Sequence, residues 1–333
     1  MNRCIWSVTF TQREQAELVE HIESSVDPEP GEVAGPTLFT LISPGTEVSG
    51  GYLGQQGQRF PKVPGYAAVF QVAQVGAGIT GIQPGETRFC MGPHRSWQRV
   101  AAADTLSVPA GLLPEHATFA RLMGVIMATL VTTAAAPPAW AMVTGLGPVG
   151  HLGAQIFRAC GYSVLAVDPD ARRQEFARQV GIEHVFAAVP VDDARFARQV
   201  ALQIECSGHE QAVVDGCRLL AKGGEISLVG APWARRSEAF AYELTERIFF
   251  DYLTVRSGWE WQLPRHVEPF RQHSTFGNFA TAMAWLRAGR VQVDGLYSVE
   301  DPRAAQRVYQ ELLHRRAPAL AQVFDWRPFK SQS

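Results

Sequence analysis

The predicted fold of this chain rests on the stretch Val143-Thr144-Gly145-Leu146-Gly147-Pro148-Val149-Gly150. Apolar residues 141–144 predict a buried strand, and apolar residues at helical spacing after the last glycine predict a helix. In such a strand–turn–helix unit, Gly145 allows the tight turn and Gly147 lets the backbone approach a pyrophosphate. Gly150 lets the helix lie close to the strand. The stretch therefore predicts a dinucleotide-binding site, with Pro148 and Val149 at the start of a helix whose free N–H groups face the phosphates.

An acid follows the next predicted strand, residues 163–167. A carboxylate at Asp168 can accept hydrogen bonds from both ribose hydroxyls and would repel a 2′-phosphate, which favours NAD over NADP. Arg172 and Arg173 favour the opposite choice, because an arginine can pair with a phosphate. Alternatively, both are solvated residues of the second helix that at most stack on adenine.

Three further residues are candidate cofactor contacts because each follows a predicted strand. Ser207 comes after the fourth strand of the nucleotide fold, and Gly230 and Ala231 come after the fifth. Ligands of doubly wound sheets bind at the carboxyl ends of the strands. The alternative is that these residues only form turns.

Composition limits the class of protein. The chain has 333 residues, is 46% hydrophobic and 19% charged, and has a formal net charge of -2, so no basic field favours nucleic acid or an anionic membrane. The longest apolar run, residues 122–136, is interrupted and is shorter than the roughly 20 residues that span a bilayer. Residues 1–6 contain no apolar signal core. The five cysteines include no CxxC pair, which argues against a disulfide framework and a cysteine-rich zinc site. We expect a cytoplasmic protein.

Periodicity and turn signals divide the chain. Residues 1–113 contain short apolar runs between Pro-Gly turns and no long helix, which predicts a compact β-barrel-like domain. Residues 114–260 carry six predicted strands separated mostly by helices, the pattern of a doubly wound parallel sheet. Those strands are residues 141–144, 163–167, 184–186, 202–205, 225–229 and 253–256. Residues 261–333 are predicted to contain helices 279–288 and 304–314 and a last strand, 321–324, that returns to the first domain.

This arrangement resembles the medium-chain dehydrogenase/reductase superfamily, which combines a GroES-like β-barrel catalytic domain with a Rossmann NAD-binding domain. The resemblance covers nearly the whole chain, and its motifs are 43–47 (SPGTE), 60–66 (FPKVPGY), 75–79 (VGAGI), 84–86 (PGE) and 145–150. Within the superfamily, the first motif and Gly92-Pro93-His94 are similar to the branch that contains bacteriochlorophyllide a dehydrogenase. The resemblance implies a homodimer formed through edge strands of the nucleotide domain.

The chain departs from the zinc-dependent members at each ligand position. Those members have Cys-Gly-Thr-Asp where this chain has residues 44–47 (PGTE), and Gly-His-Glu where it has residues 65–67 (GYA). A third ligand would fall near Met123 or Gly124, neither of which suits zinc. A short link, residues 89–97, stands where the family's four-cysteine lobe would be. The resemblance therefore implies an enzyme without catalytic or structural zinc.

Without a metal, an alcohol–ketone reaction needs a side-chain acid or base, or water in that role. Tyr66 stands where a metal ligand would be and could donate a proton, or it could merely fill the vacated volume. Thr46 matches the family's substrate-contacting hydroxyl residue, or it could cap a turn. His94, on the short link, could shuttle protons or lie on the surface. Glu47 could act as a base, orient another group or pair with an arginine.

Other residues suit a polyhydroxylated or anionic substrate, or interdomain or dimer packing: Trp233, Arg235, Arg236, Trp259, Trp261 and Arg265. We therefore predict a zinc-independent NAD(H) oxidoreductase acting on a secondary alcohol or ketone, with a small-molecule substrate between its domains. The alternatives are a quinone or enone reductase of the same fold and a nucleotide-sensing binding protein without turnover.

Overall fold

The computed structural model describes residues 3–23, 26–57 and 59–332. The chain divides into two compact units. Unit 1 contains Met1–Arg121, Ala282–Arg287 and Val293–Ser333, and unit 2 contains Leu122–Thr281 and Ala288–Gln292. Residues 261–281, which the sequence-based division grouped with the C-terminal segment, thus cluster with unit 2.

Unit 1 begins with eight strands and a short helix. They are β1 (Arg3–Gln12), β2 (Gln15–Glu23), β3 (Glu32–Leu41), β4 (Ala68–Gln71), β5 (Gln74–Val75), β6 (Thr87–Cys90), β7 (Trp97–Ala101), β8 (Thr105–Ser107) and α1 (Pro114–Ala117). Gly45–Tyr52 forms an eight-residue π-helix. The sequence analysis expected no long helix in this region and did not predict this short one. The Pro-Gly pair indicated only a turn, but the side chain of Glu47 accepts the Ser43 N–H and holds the chain in helical conformation.

Unit 2 alternates helices and strands. They are α2 (Ala120–Thr132), β9 (Trp140–Thr144), α3 (Pro148–Ala159), β10 (Ser163–Val167), α4 (Ala171–Gln179), β11 (His184–Phe186), β12 (Val200–Glu205), α5 (Glu210–Cys217), β13 (Leu220–Leu228), α6 (Ala241–Asp251), β14 (Thr254–Ser257) and α7 (Thr275–Arg287). The ends of α2 and α7 extend into residues of unit 1. The chain ends with β15 (Tyr297–Glu300), α8 (Ala305–Leu313) and β16 (Ala321–Asp325) in unit 1.

The sheet of unit 2 has the order β11-β10-β9-β12-β13-β14, and every neighbouring pair is parallel. The order reverses between β9 and β12, which gives the switch point of a doubly wound sheet. This confirms the predicted fold class. Apolar side chains pack the sheet against its helices; Leu165, Ile226 and Leu253 belong to this core.

The largest sheet of unit 1 is organised around β3. The first half of that strand pairs with β5 and β7, and the second half pairs with β4 and β16, all antiparallel. The last strand of the chain thus joins the N-terminal sheet through pairs such as Val323 with Leu41. Strands β1 and β2 form a separate antiparallel hairpin. Among the described residues, no helix has both the length and the hydropathy needed to cross a membrane.

Candidate functional site

The glycine turn joins β9 to α3 in the conformation that the sequence predicts. Gly145 has φ 88°, a left-handed value that favours glycine, and its N–H donates to the Val167 carbonyl. A Cβ at Gly150 would overlap the carbonyl oxygen of Gly145, so only glycine fits at that position of the helix. The two outer glycines are therefore required by the packing of the turn itself.

The middle glycine has a different environment. Gly147 caps α3 without a side-chain hydrogen bond, and a Cβ there would meet no atom within 4 Å. Pro148 is the first helical residue and Val149 the second. A 12-residue helix with an open backbone at its N-terminus suits an anionic group, because its first N–H groups lack intrahelical acceptors and the helix dipole is positive there. These residues fit the pyrophosphate of a dinucleotide.

Asp168 lies directly after β10 and is buried. One of its carboxylate oxygens accepts the Leu146 N–H at 2.7 Å and the Arg173 guanidinium at 3.2 Å, and the other accepts the Asp170 N–H at 2.9 Å. These hydrogen bonds fix the orientation of the carboxylate next to the glycine turn. Arg173 pairs with this acid rather than standing free for a phosphate, while Arg172 pairs with Asp170.

The ends of the fourth and fifth sheet strands lie against each other. A Cβ at Gly208 would come within 2.6 Å of the Ala231 carbonyl oxygen, and the Gly230 N–H donates to the Glu205 carbonyl at 2.7 Å. The buried Glu205 carboxylate bonds the N–H and hydroxyl of Ser207, and its burial raises the pKa. The structure thus brings Ser207, Gly230 and Ala231 together at the carboxyl edge of the sheet.

A second polar cluster lies in unit 1 around Tyr66. Its phenol donates to Ser43 Oγ at 2.5 Å and lies 3.3 Å from Thr46 Oγ1. Ser43 is buried and Thr46 is exposed. The guanidinium carbon of the buried Arg121 lies 4.4 Å from the centre of the Tyr66 ring. The cluster thus joins a phenol to two hydroxyls and a cation.

Opposing effects act on the Tyr66 phenol. Burial raises its pKa, and the Arg121 charge and the hydrogen bonds to Ser43 and Thr46 act in the opposite direction. The phenol stays above its ordinary pKa and is a proton donor near neutrality. The sequence analysis missed Ser43 and Arg121 as site residues. Arg121 did carry a signal, because it is the only charged residue of the apolar helix α2.

His94 and Glu47 lie inside unit 1 and are both buried. His94 Nε2 is 2.9 Å from Glu47 Oε2, which also accepts the Tyr309 hydroxyl at 2.6 Å, and Glu47 Oε1 accepts the Ser43 N–H. His94 Nδ1 lies 2.7 Å from Thr40 Oγ1. A proton shuttle or a general base needs an atom that reaches substrate or solvent. In this arrangement the polar side-chain atoms of both residues are buried and already engaged in these bonds. The predicted catalytic roles of His94 and Glu47 therefore have no support in their placement.

Pro44 and Tyr66 stand at positions where the resemblance would place zinc ligands. Pro44 has no donor side chain, and Tyr66 is engaged with Ser43 and Thr46. Within residues 3–23, 26–57 and 59–332, no three or more His, Cys, Asp or Glu side chains are grouped so that they could hold a metal ion. This donor set does not fit zinc.

The aromatic and cationic candidates after β13 and β14 differ in their surroundings. Trp259 and Trp261 are exposed. Arg236 instead reaches back to the strand edge, where its guanidinium donates to the Ser207 carbonyl at 3.3 Å.

Comparison with known proteins finds dehydrogenases similar in sequence. Residues 148–264 match the model of the zinc-binding dehydrogenase family. L-threonine 3-dehydrogenase of Pyrococcus furiosus is 27% identical over 334 residues, covering 83% of this chain and 93% of that protein.

Two solved structures have the same fold over almost their whole length. Galactitol-1-phosphate dehydrogenase from Escherichia coli superimposes with a TM-score of 0.80 at 16% identity, covering 96% of this chain and 99% of that one. Acetophenone reductase from Geotrichum candidum, solved in complex with NAD, gives a TM-score of 0.79 at 13% identity and covers 98% of both chains. The chain therefore has the fold of these dehydrogenases, and its residues 148–264 are similar to the zinc-binding dehydrogenase family.

Proposed function

We propose that this protein is an NAD(H)-dependent oxidoreductase that interconverts a secondary alcohol and its ketone without zinc. The observation that carries the proposal is the Tyr66 cluster, which supplies a proton donor where the family's zinc-dependent members have a metal ligand. A bound nicotinamide supplies or accepts the hydride. In this proposal, unit 2 holds the dinucleotide and unit 1 supplies the acid and base.

Tyr66 is proposed to protonate the oxygen of the substrate as negative charge develops there. Its phenol is already polarised by the hydroxyls of Ser43 and Thr46, and the Arg121 cation over the ring stabilises the phenolate that remains. Thr46 is the exposed member of the cluster, so it can pass a proton from solvent to Tyr66 Oη. In alcohol oxidation the same atoms move the proton in the opposite direction.

The dinucleotide preference is proposed from Asp168. The turn holds its carboxylate in place through the Leu146 N–H, so a 2′-phosphate brought to this strand end would meet a fixed negative charge. Arg173 is already paired with that carboxylate, which leaves less of its charge for a phosphate. Both observations support NAD over NADP.

Zinc independence is likewise proposed from Pro44 and Tyr66, since neither side chain suits the metal. The similarity of motif 43–47 to the branch containing bacteriochlorophyllide a dehydrogenase remains part of this proposal. The tetrapyrrole substrate of that branch is not carried over.

Purified protein should be assayed with NADH and NADPH against panels of ketones, enones and quinones, and with NAD against secondary alcohols. We expect turnover of a ketone–alcohol pair, and Tyr66→Phe should lower kcat by roughly 10²–10⁴-fold, the usual contribution of a general acid. Tyr297→Phe is the matched control, because it removes a phenol of unit 1 that bonds the ring of His116 at 3.1 Å. Turnover confined to enones or quinones would favour the reductase alternative. NADH binding without turnover of any compound would favour the binding protein.

We also propose a homodimer formed through β14. This strand ends the order of the parallel sheet, and the exposed Phe249, Phe250 and Tyr252 directly precede it. An edge strand flanked by apolar side chains is a pairing surface for another chain. Light scattering should give twice the chain mass, and Phe249→Glu should shift it to the monomer mass.

A further inference from the structure

We propose that the buried His94–Glu47 pair is the positioning device of the Tyr66 cluster, fixing the distance between Tyr66 and Ser43. The inference rests on the proposed function of Tyr66 but assigns a new role to two residues that do not touch substrate. It follows from what each member of the pair holds in place.

Glu47 fixes the segment that carries the two hydroxyls. Its Oε1 accepts the Ser43 N–H at 2.8 Å, and its own backbone N–H donates to the Ser43 carbonyl at 2.8 Å. Ser43 is therefore bonded to Glu47 through both its N–H and its carbonyl. Thr46 is the neighbour of Glu47 in the same π-helix.

His94 fixes the segment that carries the phenol. Its backbone N–H donates to the Pro64 carbonyl at 2.8 Å, and its ring lies directly against Gly65. A Cβ at Gly65 would come within 2.7–2.9 Å of His94 N, Cγ and Cδ2, and the residue has φ 98°. Gly65 thus lets the chain lie flat on the histidine, and Tyr66 is the next residue.

The bond between His94 Nε2 and Glu47 Oε2 joins these two segments at 2.9 Å. The rest of the network fixes the orientation of the ring. The Trp326 indole donates to Thr40 Oγ1 at 2.8 Å, and this hydroxyl lies 2.7 Å from His94 Nδ1, so the ring is held through both of its nitrogens. Tyr309 donates to the same Glu47 oxygen, so every polar atom of the pair is used. A buried network satisfied in this way is rigid.

The test reads the environment of Tyr66 without needing a substrate. The full chain is labelled with ¹³C at tyrosine Cζ, and the Tyr66 signal is assigned by its loss in Tyr66→Phe. Ser43→Ala removes the hydrogen-bond partner and defines the direction in which the signal moves. We expect His94→Leu to move it in that same direction and to have no further effect in the Ser43→Ala background.

Two variants separate positioning from general loss of stability. His94→Gln keeps a donor near Glu47 and should return the signal toward the wild-type position. Phe70→Leu, a substitution in another core cluster of unit 1, should leave it unchanged. If His94→Leu does not fold, Glu47→Gln, which keeps the size of the side chain, should produce the same shift.

An unmoved Tyr66 signal in folded His94→Leu or Glu47→Gln would overturn the inference, as would an equal shift in Phe70→Leu. With a substrate that the enzyme turns over, His94→Leu should lower kcat by up to roughly 100-fold with little change in KM. In the Tyr66→Phe background, His94→Leu should cause no further loss of kcat. Normal turnover by Tyr66→Phe would refute the proposed function alone, because the signal reports positioning separately.

Discussion

Acid should destabilise unit 2 through His151, the residue that follows the last glycine of the turn. The ring is 1% exposed, and its burial lowers the pKa from 6.5 to about 4, an effect that the Phe176 backbone partly offsets. Between these two values the unfolded chain binds a proton that the folded chain excludes, so the free energy of unfolding falls as the pH falls through this window. Linkage gives a loss of about 2 kcal/mol between pH 7.5 and pH 5, and of about 3 kcal/mol once the pH is well below 4.

The measurement is urea unfolding at a series of pH values, comparing the wild type with His151→Leu. The variant loses the contact of the ring with Gln155 at every pH, so only the difference between the two pH dependences is informative. We expect the free energy of unfolding of the variant to fall by about 2 kcal/mol less than that of the wild type between pH 7.5 and pH 5. His273→Gln is the control, because His273 is exposed in the same unit. Parallel pH dependences of wild type and His151→Leu would refute the reasoning.

Three further outcomes concern the dinucleotide and the metal. Gly150→Ala sets a methyl group against the Gly145 carbonyl and should lower the free energy of unfolding in urea by about 1–3 kcal/mol. Gly147→Ala places its methyl group in open space, so it should keep the fold and weaken NADH binding. Equal stabilities of the two variants would contradict this contrast. Asp168→Asn keeps an acceptor for the turn but removes the charge. The difference in binding free energy between NADH and NADPH, measured by fluorescence titration, should therefore fall by at least about 1 kcal/mol. An unchanged preference would contradict the proposed contact of Asp168 with the ribose. Dialysis against a chelator should leave turnover unchanged, and activity that only added zinc restores would overturn the metal-free proposal.

Much of unit 2 could be predicted from the sequence because its signals are local. Strands 163–167 and 184–186 occur with the predicted bounds, since apolar runs between turn residues mark buried parallel strands. The hairpin of β1 and β2 was not predicted. Its second strand is half-exposed and rich in polar residues, so its alternation is weak, and the pairing itself stabilises it.

The site of unit 1 was predictable only in part. The resemblance drew attention to Tyr66 and Thr46, and the structure brings them within 3.3 Å of each other. Ser43 gave no signal beyond a turn, because its role depends on a phenol that lies 23 residues further along the chain. The chemical role of a hydroxyl depends on its neighbours in space, and the local sequence does not indicate which residues these are.

The sequence by itself determined the glycine turn and the sheet around it. Gly145 and Gly150 are required by backbone conformation and close packing within one strand–turn–helix unit, where the interacting atoms are neighbours along the chain. Only the tertiary structure decided that His94 and Glu47 form a buried pair. Glu47 bonds a histidine 47 residues away and a tyrosine 262 residues away. Such contacts depend on how β3, the π-helix and α8 pack together, and no local periodicity encodes that packing.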